Sequence, residues 1–211
     1  MNDRLMRFVL EMRQAGVTDA RVLSAIETTP RENFAPEHLR DLAHDDTALP
    51  LPGGQTMSRP SLVGQVVSAL APRNDDIVLE IGTGSGYQAG VLAALSFKLV
   101  TIDRVRSLVG EARAGFARCG LINAFAHCGD GYDGWPYDAP YDRIVLNVAV
   151  TEVPPPVLAQ LKPGGVLLAP IHDQQGQRLM RFRNNTRDDL GPANFPNIER
   201  GVEAVAEDAP E

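Results

Sequence analysis

The 211-residue sequence holds only two cysteines, Cys119 and Cys128, without C-x-x-C spacing, and its four histidines (His38, His44, His127, His172) show no H-x-x-x-H pairing. That scarcity excludes a disulfide scaffold and leaves no metal site to expect. Long hydrophobic runs are also missing. No stretch of ~18 apolar residues occurs, and the start MNDRLMRFVLEMRQAG is interrupted by Asp3 and Glu11, so neither a membrane span nor a secretory leader is expected. A cytoplasmic protein follows. No Lys/Arg-rich patch is visible either, which removes the electrostatic basis for nucleic-acid binding. The formal charge of −7 is unevenly spread: residues 188–211 carry seven acids against Arg200 alone, and the rest has nineteen basic and twenty acidic residues, a net of −1. This end reads as an acidic, solvated tail.

What is present fits one domain over residues 1–187, since chains divide into separate cores only beyond ~250 residues, with a monomer as the default state. Residues 1–60 read as helices and a loop. Leu5, Phe8, Val9 and Met12 recur at helical spacing up to Gly16; Thr18 or Asp19 can cap a second helix carrying Val22, Leu23 and Ile26 as far as Pro30; a short third covers 36–43. The run LPLPGGQTMSRP at 49–60 is a loop, after which Ser58 can cap a helix with Pro60 in its first turn.

From Asp76 to 185 strands and helices alternate. Strands are expected at 77–81, 98–102, 124–127, 143–146 and 165–169, helices at 86–95, 105–118 and 155–161. This is the pattern of an α/β fold with an open parallel sheet, whose ligands sit at the carboxyl ends of the strands.

Those ends carry the chemistry. In Val78-Leu79-Glu80-Ile81-Gly82-Thr83-Gly84-Ser85-Gly86-Tyr87-Gln88 a buried strand runs into a glycine turn that opens a helix. The dinucleotide fingerprint would need a small residue at position 87, where Tyr87 stands, and this disfavours a nicotinamide-dependent oxidoreductase. Glu80 lies inside an apolar strand, where a carboxylate is costly unless hydrogen bonds reach it, as from a ligand ammonium. Asp103 ends the second strand where an acid can hold ribose hydroxyls, and Gly129-Asp130-Gly131 follows the third. Each also has a local reading: Glu80 paired with an arginine, Asp103 capping the next helix, Asp130 in a turn. Together, three acids and a glycine loop suit an adenosine carrying an amino acid, S-adenosylmethionine.

The chain resembles the protein-L-isoaspartate O-methyltransferase family in Pro30-Arg31-Glu32-Asn33-Phe34, in Gly54-Gln55-Thr56-Met57-Ser58-Arg59-Pro60, in Glu80 to Gln88, in Gly129-Asp130-Gly131, in Ala139-Pro140-Tyr141-Asp142, and in Gln160-Leu161-Lys162 with Gly164-Gly165 and Pro170. The resemblance implies a Rossmann-like, seven-stranded, mostly parallel sheet with helices on both faces and an N-terminal helical extension. It further implies S-adenosylmethionine as methyl donor, S-adenosylhomocysteine as product, and isoaspartyl residues of damaged proteins as substrate. Glu80, Gly82, Thr83, Gly84, Gly86, Asp103, Asp130 and Gly131 would then line the cofactor, with Thr56 and Ser58 beside the reacting carboxylate. A diverged carboxyl or peptide methyltransferase and a non-catalytic S-adenosylmethionine-binding domain are the alternatives. The chain departs from the family pattern at His44-Asp45-Asp46, at Pro52 and at Leu146-Asn147-Val148-Ala149, and its Phe195-Pro196-Asn197-Ile198-Glu199-Arg200 does not align with the family's closing segment.

Overall fold

Hydrophobic periodicity sets the N-terminal layer. In a computed structural model, which describes residues 3–184 and 186–203, α1 (Asp3–Gln14) buries Phe8 and Met12. It ends at Gly16, whose positive φ lets the Gly16 and Val17 amides return to the carbonyls of Arg13 and Met12. Asp19 caps α2 (Ala20–Thr28), accepting the Arg21 amide at 2.8 Å, and Val22, Leu23 and Ile26 face inward. The third expected helix forms as a six-residue 3-10 turn, Glu37–Leu42.

The proline- and glycine-rich stretch is not plain loop. Leu49–Pro50 (β1) and Thr56–Met57 (β2) pair antiparallel, Leu49 against Met57, and the turn between them projects Gly53 and Gly54. Ser58 does not cap the following helix α3 (Pro60–Leu70): Arg59 occupies the cap position without a side-chain bond, and the Ser61 amide is instead satisfied by Asp46 Oδ1 at 2.8 Å. A carboxylate brought from the preceding loop does the capping, and the Ser58 hydroxyl is left for other use.

Seven strands form the main sheet in the order β5-β4-β3-β6-β7-β8-β9: β3 Ile77–Ile81, β4 Lys98–Asp103, β5 Ala124–Cys128, β6 Tyr141–Leu146, β7 Leu161–Asp173, β8 Gly176–Arg183 and β9 Thr186–Pro192. The first five are parallel; β7, β8 and β9 pair antiparallel. The connecting helices are α4 (Tyr87–Ala93), α5 (Arg106–Arg118) and the short α6 (Pro155–Leu158). Alternation along the strands builds two cores. Val78, Leu99, Val145 and Leu168 pack with α1 to α5, while Leu79, Ile102, Ile144 and Leu146 pack beneath Tyr141 and Val157 on the other face. Successive strands run outward in opposite directions from β3, to β4 on one side and β6 on the other, so a crevice opens at the carboxyl ends of β3 and β6.

The supposed acidic tail is sheet as far as Pro192. Asp188 pairs with Arg181 across the β8–β9 ladder at 2.9 Å and Asp189 bonds Arg178, so these two acids serve as cross-strand partners, while the expected tail over 204–211 lies outside the described residues. Nor does Pro170 end β7, which continues to Asp173 opposite β8. At the other edge of the sheet the outward carbonyl of Ala126 in β5 accepts the Arg113 guanidinium from α5 at 2.6 and 2.9 Å.

Candidate active site

Glu80 is fully buried, and its donors are all protein groups: Thr101 Oγ1 at 2.7 Å to one oxygen, Asn147 Nδ2 and Gln88 Nε2 each at 3.0 Å to the other. The expected ligand ammonium is not needed to satisfy it, and among the described residues no arginine pairs with it. Burial nevertheless dominates, lifting its pKa from 4.5 to about 7 against the three hydrogen bonds that favour the anion. The same amides bond each other at 2.9 Å, and Asn147 Nδ2 also reaches the Gly82 carbonyl at 3.0 Å, so a buried carboxylate fixes the backbone of the glycine turn from below.

The turn itself hangs on β4. The Gly82 and Thr83 amides donate to the Ile102 carbonyl at 2.9 and 3.2 Å, and Thr83 Oγ1 lies 2.7 Å from Thr101 Oγ1. Gly82 and Gly84 have φ of +93° and +52°, a region closed to most side-chain-bearing residues. Gly86 works elsewhere: a Cβ there would stand 2.7 Å from Ala112 Cβ, so it permits α4 to meet α5 and does not itself line the crevice.

Asp103 ends β4 with one oxygen accepting the Gly84 amide at 2.9 Å and the other the Val105 amide at 3.0 Å. It lines the crevice all the same, and burial pushes its pKa upward against those bonds. Asp130 behaves differently. Its oxygens accept the Tyr132 amide at 2.9 Å and the Gly201 amide at 2.7 Å, away from the crevice lining, whereas Gly131 lines it beside Ile81 and Ile198.

The crevice, of about 1130 Å³, brings Gly82, Thr83, Gly84, Asp103 and Gly131 together with Thr56 and Ser58. Thr56 is exposed and Ser58 half-buried. Buried Arg31 anchors this side, donating to the carbonyls of Ala43, Asp45, Thr47 and Ser58 at 2.8 to 3.3 Å and so tying the loop before β1 to the residue that carries the hydroxyl.

Sequence reasoning missed two parts of the site. Asn147 follows β6, and the rule that strand ends gather ligand groups could have flagged it. The segment after β9 stands out in the sequence only as failing to align with the family's closing segment, yet Phe195, Pro196, Asn197 and Ile198 form a crevice wall. It is held by Gln177, whose side chain bonds both the amide and the carbonyl of Phe195 at 2.7 and 2.8 Å, and by Ala149, which exchanges backbone bonds with Pro196 and Ile198. Arg104 pairs with Glu199 at 2.9 Å, fastening the wall to the end of β4.

These residues fit an adenosyl group bearing an amino acid. Backbone without side chains lines the crevice at Gly82 and Gly84, with an acid of the polarity needed for vicinal hydroxyls at Asp103 and apolar surface at Ile81, Val105, Val148 and Ile198. The lining contains no histidine or cysteine, and among the described residues no cluster of three or more His, Cys, Asp or Glu side chains could hold a metal ion.

Comparison with known proteins agrees. A family model described as protein-L-isoaspartate(D-aspartate) O-methyltransferase matches residues 3–194. The chain is 47% identical over 205 residues to a protein-L-isoaspartate O-methyltransferase of Paracoccus denitrificans, with 95% of each chain covered. It is 48% identical over 203 residues to one from Azorhizobium caulinodans, with 94% of each covered. A solved protein-L-isoaspartate O-methyltransferase superposes with a TM-score of 0.82 at 27% identity, covering 94% of this chain and 67% of that one. A Plasmodium falciparum structure containing S-adenosylhomocysteine has the same fold, with a TM-score of 0.79 at 18% identity, over 94% of this chain and 99% of the other.

Proposed function

Because the chain belongs to the protein-L-isoaspartate(D-aspartate) O-methyltransferase family, we propose that its crevice carries out methyl transfer as follows: Gly82, Thr83, Gly84, Asp103 and Gly131 hold S-adenosylmethionine while Thr56 and Ser58 present an isoaspartyl carboxylate to it. The observation that carries this assignment is the single cavity uniting the glycine turn, Asp103 and the two hydroxyl-bearing residues. Glu80 and Gly86 belong to the site through what they hold in place, and Asp130 through its grip on Gly201.

When bound, S-adenosylmethionine supplies a methyl group activated by its sulfonium. The chain's own task is then mostly placement. A carboxylate with a pKa of ~4 is already an anion at neutral pH and needs no general base, which suits a lining without histidine. The Ser58 hydroxyl, its backbone fixed by Arg31, orients one carboxylate oxygen without the strong ion pair that would blunt its nucleophilicity. Such orientation can contribute ~7 kcal/mol to lowering the barrier. Asp103 offers its remaining lone pairs to ribose hydroxyls, and the wall at Phe195 to Ile198 excludes water from the reacting groups. In this reading the partners are damaged polypeptides rather than nucleic acid or membrane. The reaction belongs in the cytoplasm, whose reducing medium suits the unbridged Cys119 and Cys128.

Methyl transfer from labelled donor to matched peptides containing isoaspartate or aspartate tests the proposal. Incorporation is expected in the first peptide alone, and Ser58→Ala is expected to lower kcat/KM about ten- to a hundredfold, the loss of one oriented hydrogen bond to a charged group, while S-adenosylhomocysteine affinity stays within about twofold. Equal methylation of both peptides, or an undiminished rate in the variant, would refute the assignment.

A further inference from the structure

The crevice does not stop at Ser58. It continues along α3, where Leu62, Val66 and Ala69 form one side, and along the β8–β9 hairpin, where Leu179, Leu190 and Pro192 form the other. Alternate residues of a strand share a face, so Arg181 and Arg183 follow Leu179 down the same side of β8, directly opposite their β9 partners Asp188 and Thr186. A second cavity, of about 460 Å³, lies there: Arg181, Arg183 and Asp188 from the hairpin meet Arg21, Arg73 and Arg143 at the end of α3. Ala69 lines both cavities. The two cavities adjoin at Ala69, so a path along α3 joins the hydroxyls at Thr56 and Ser58 to five arginines.

The charges in that cluster do not cancel. Asp188 is its one lining carboxylate and pairs with Arg181. Arg21 pairs with Asp19, and Arg143, nine-tenths buried, is held by Asp76 at 3.3 Å. Arg73 and Arg183 are exposed and make no ion pair among the described residues. The groove between has partly exposed leucines and no charge of its own, and at the crevice end the exposed Arg59 likewise makes no ion pair.

We propose that this groove docks an extended segment of the substrate polypeptide flanking the reacting residue, with Arg73 and Arg183 receiving acidic side chains of that segment. The proposal rests on the isoaspartyl reading above. Its support is the continuity of the groove with the crevice and the excess of guanidinium at its end. The spacing is specific: the eleven residues of α3 span ~16 Å, which an extended chain at ~3.3 Å per residue covers in about five residues. The enzyme then favours damage sites with an acid about five positions to one side.

The experiment measures KM and kcat for isoaspartyl peptides that carry Glu or Lys five positions before or after the isoaspartate. On the side that reaches the cluster, the Glu peptide is expected to have a KM about five- to tenfold lower than the Lys peptide, with kcat alike. That ratio should shrink toward one in ~1 M salt, where the screening length is ~3 Å, and in Arg73→Glu/Arg183→Glu. Because the comparison is a ratio within one enzyme preparation, a partly unfolded variant does not mimic the effect. Equal KM for Glu and Lys peptides on both sides, or a variant that weakens both peptides equally, overturns the docking proposal while leaving the isoaspartyl reading intact. No transfer to any of the isoaspartyl peptides would fell that reading itself.

Discussion

At Glu80 an ionisable group sits where charge is expensive. Its folded pKa of about 7 exceeds the ordinary 4.5 because burial outweighs three donors. Between those two values the unfolded chain has released the proton and the folded one retains it, so stability falls as pH rises from about 4.5 to about 7, by a few kcal/mol at most. Glu80→Gln removes that slope. Thermal unfolding of both proteins from pH 5 to 7.5 is expected to show the wild type losing stability relative to the variant as pH increases; parallel curves would mean that Glu80 ionises as it does in water. The network also shows why this residue could not be understood from sequence. A carboxylate in an apolar strand announces that something must satisfy it, yet Asn147 is 67 residues away and only the β3–β6 pairing brings it near.

Among the elements, those with local instructions were legible and those with borrowed ones were not. The apolar runs of β3, β4 and β6 declare parallel strands, and Gly16 and Asp19 sit where the helix ends require them. The start of α3 misleads, because Ser58 matches a local cap while the real acceptor, Asp46, lies fifteen residues upstream of Ser61. Asp46→Ala should therefore cost about 1 kcal/mol in denaturant unfolding, whereas no stability change of that kind is expected from removing the Ser58 hydroxyl. β8 and β9 were hidden by their charges, which pair across the hairpin.

For the whole molecule, the important connection is between the two ends of the sheet's history: the chain's last described residues return to close the crevice that its central strands open. Gln177 on β8 holds Phe195 by two bonds, and Arg104 holds Glu199. Gln177→Ala is expected to loosen the wall, raising proteolytic cleavage around residues 193–199 and weakening S-adenosylhomocysteine binding by roughly 1 to 3 kcal/mol, in line with two lost hydrogen bonds. Saturating S-adenosylhomocysteine should restore protection; cleavage unaffected by the substitution would show the wall is held elsewhere.

The Arg113 guanidinium on the Ala126 carbonyl carries one more consequence. A catalyst whose clients are worn, partly opened polypeptides is repeatedly offered loose strands looking for a partner. With an arginine on a β5 carbonyl at one flank and paired charges at the other, the sheet's edges discourage such pairing, which favours release of treated visitors over accretion onto the enzyme.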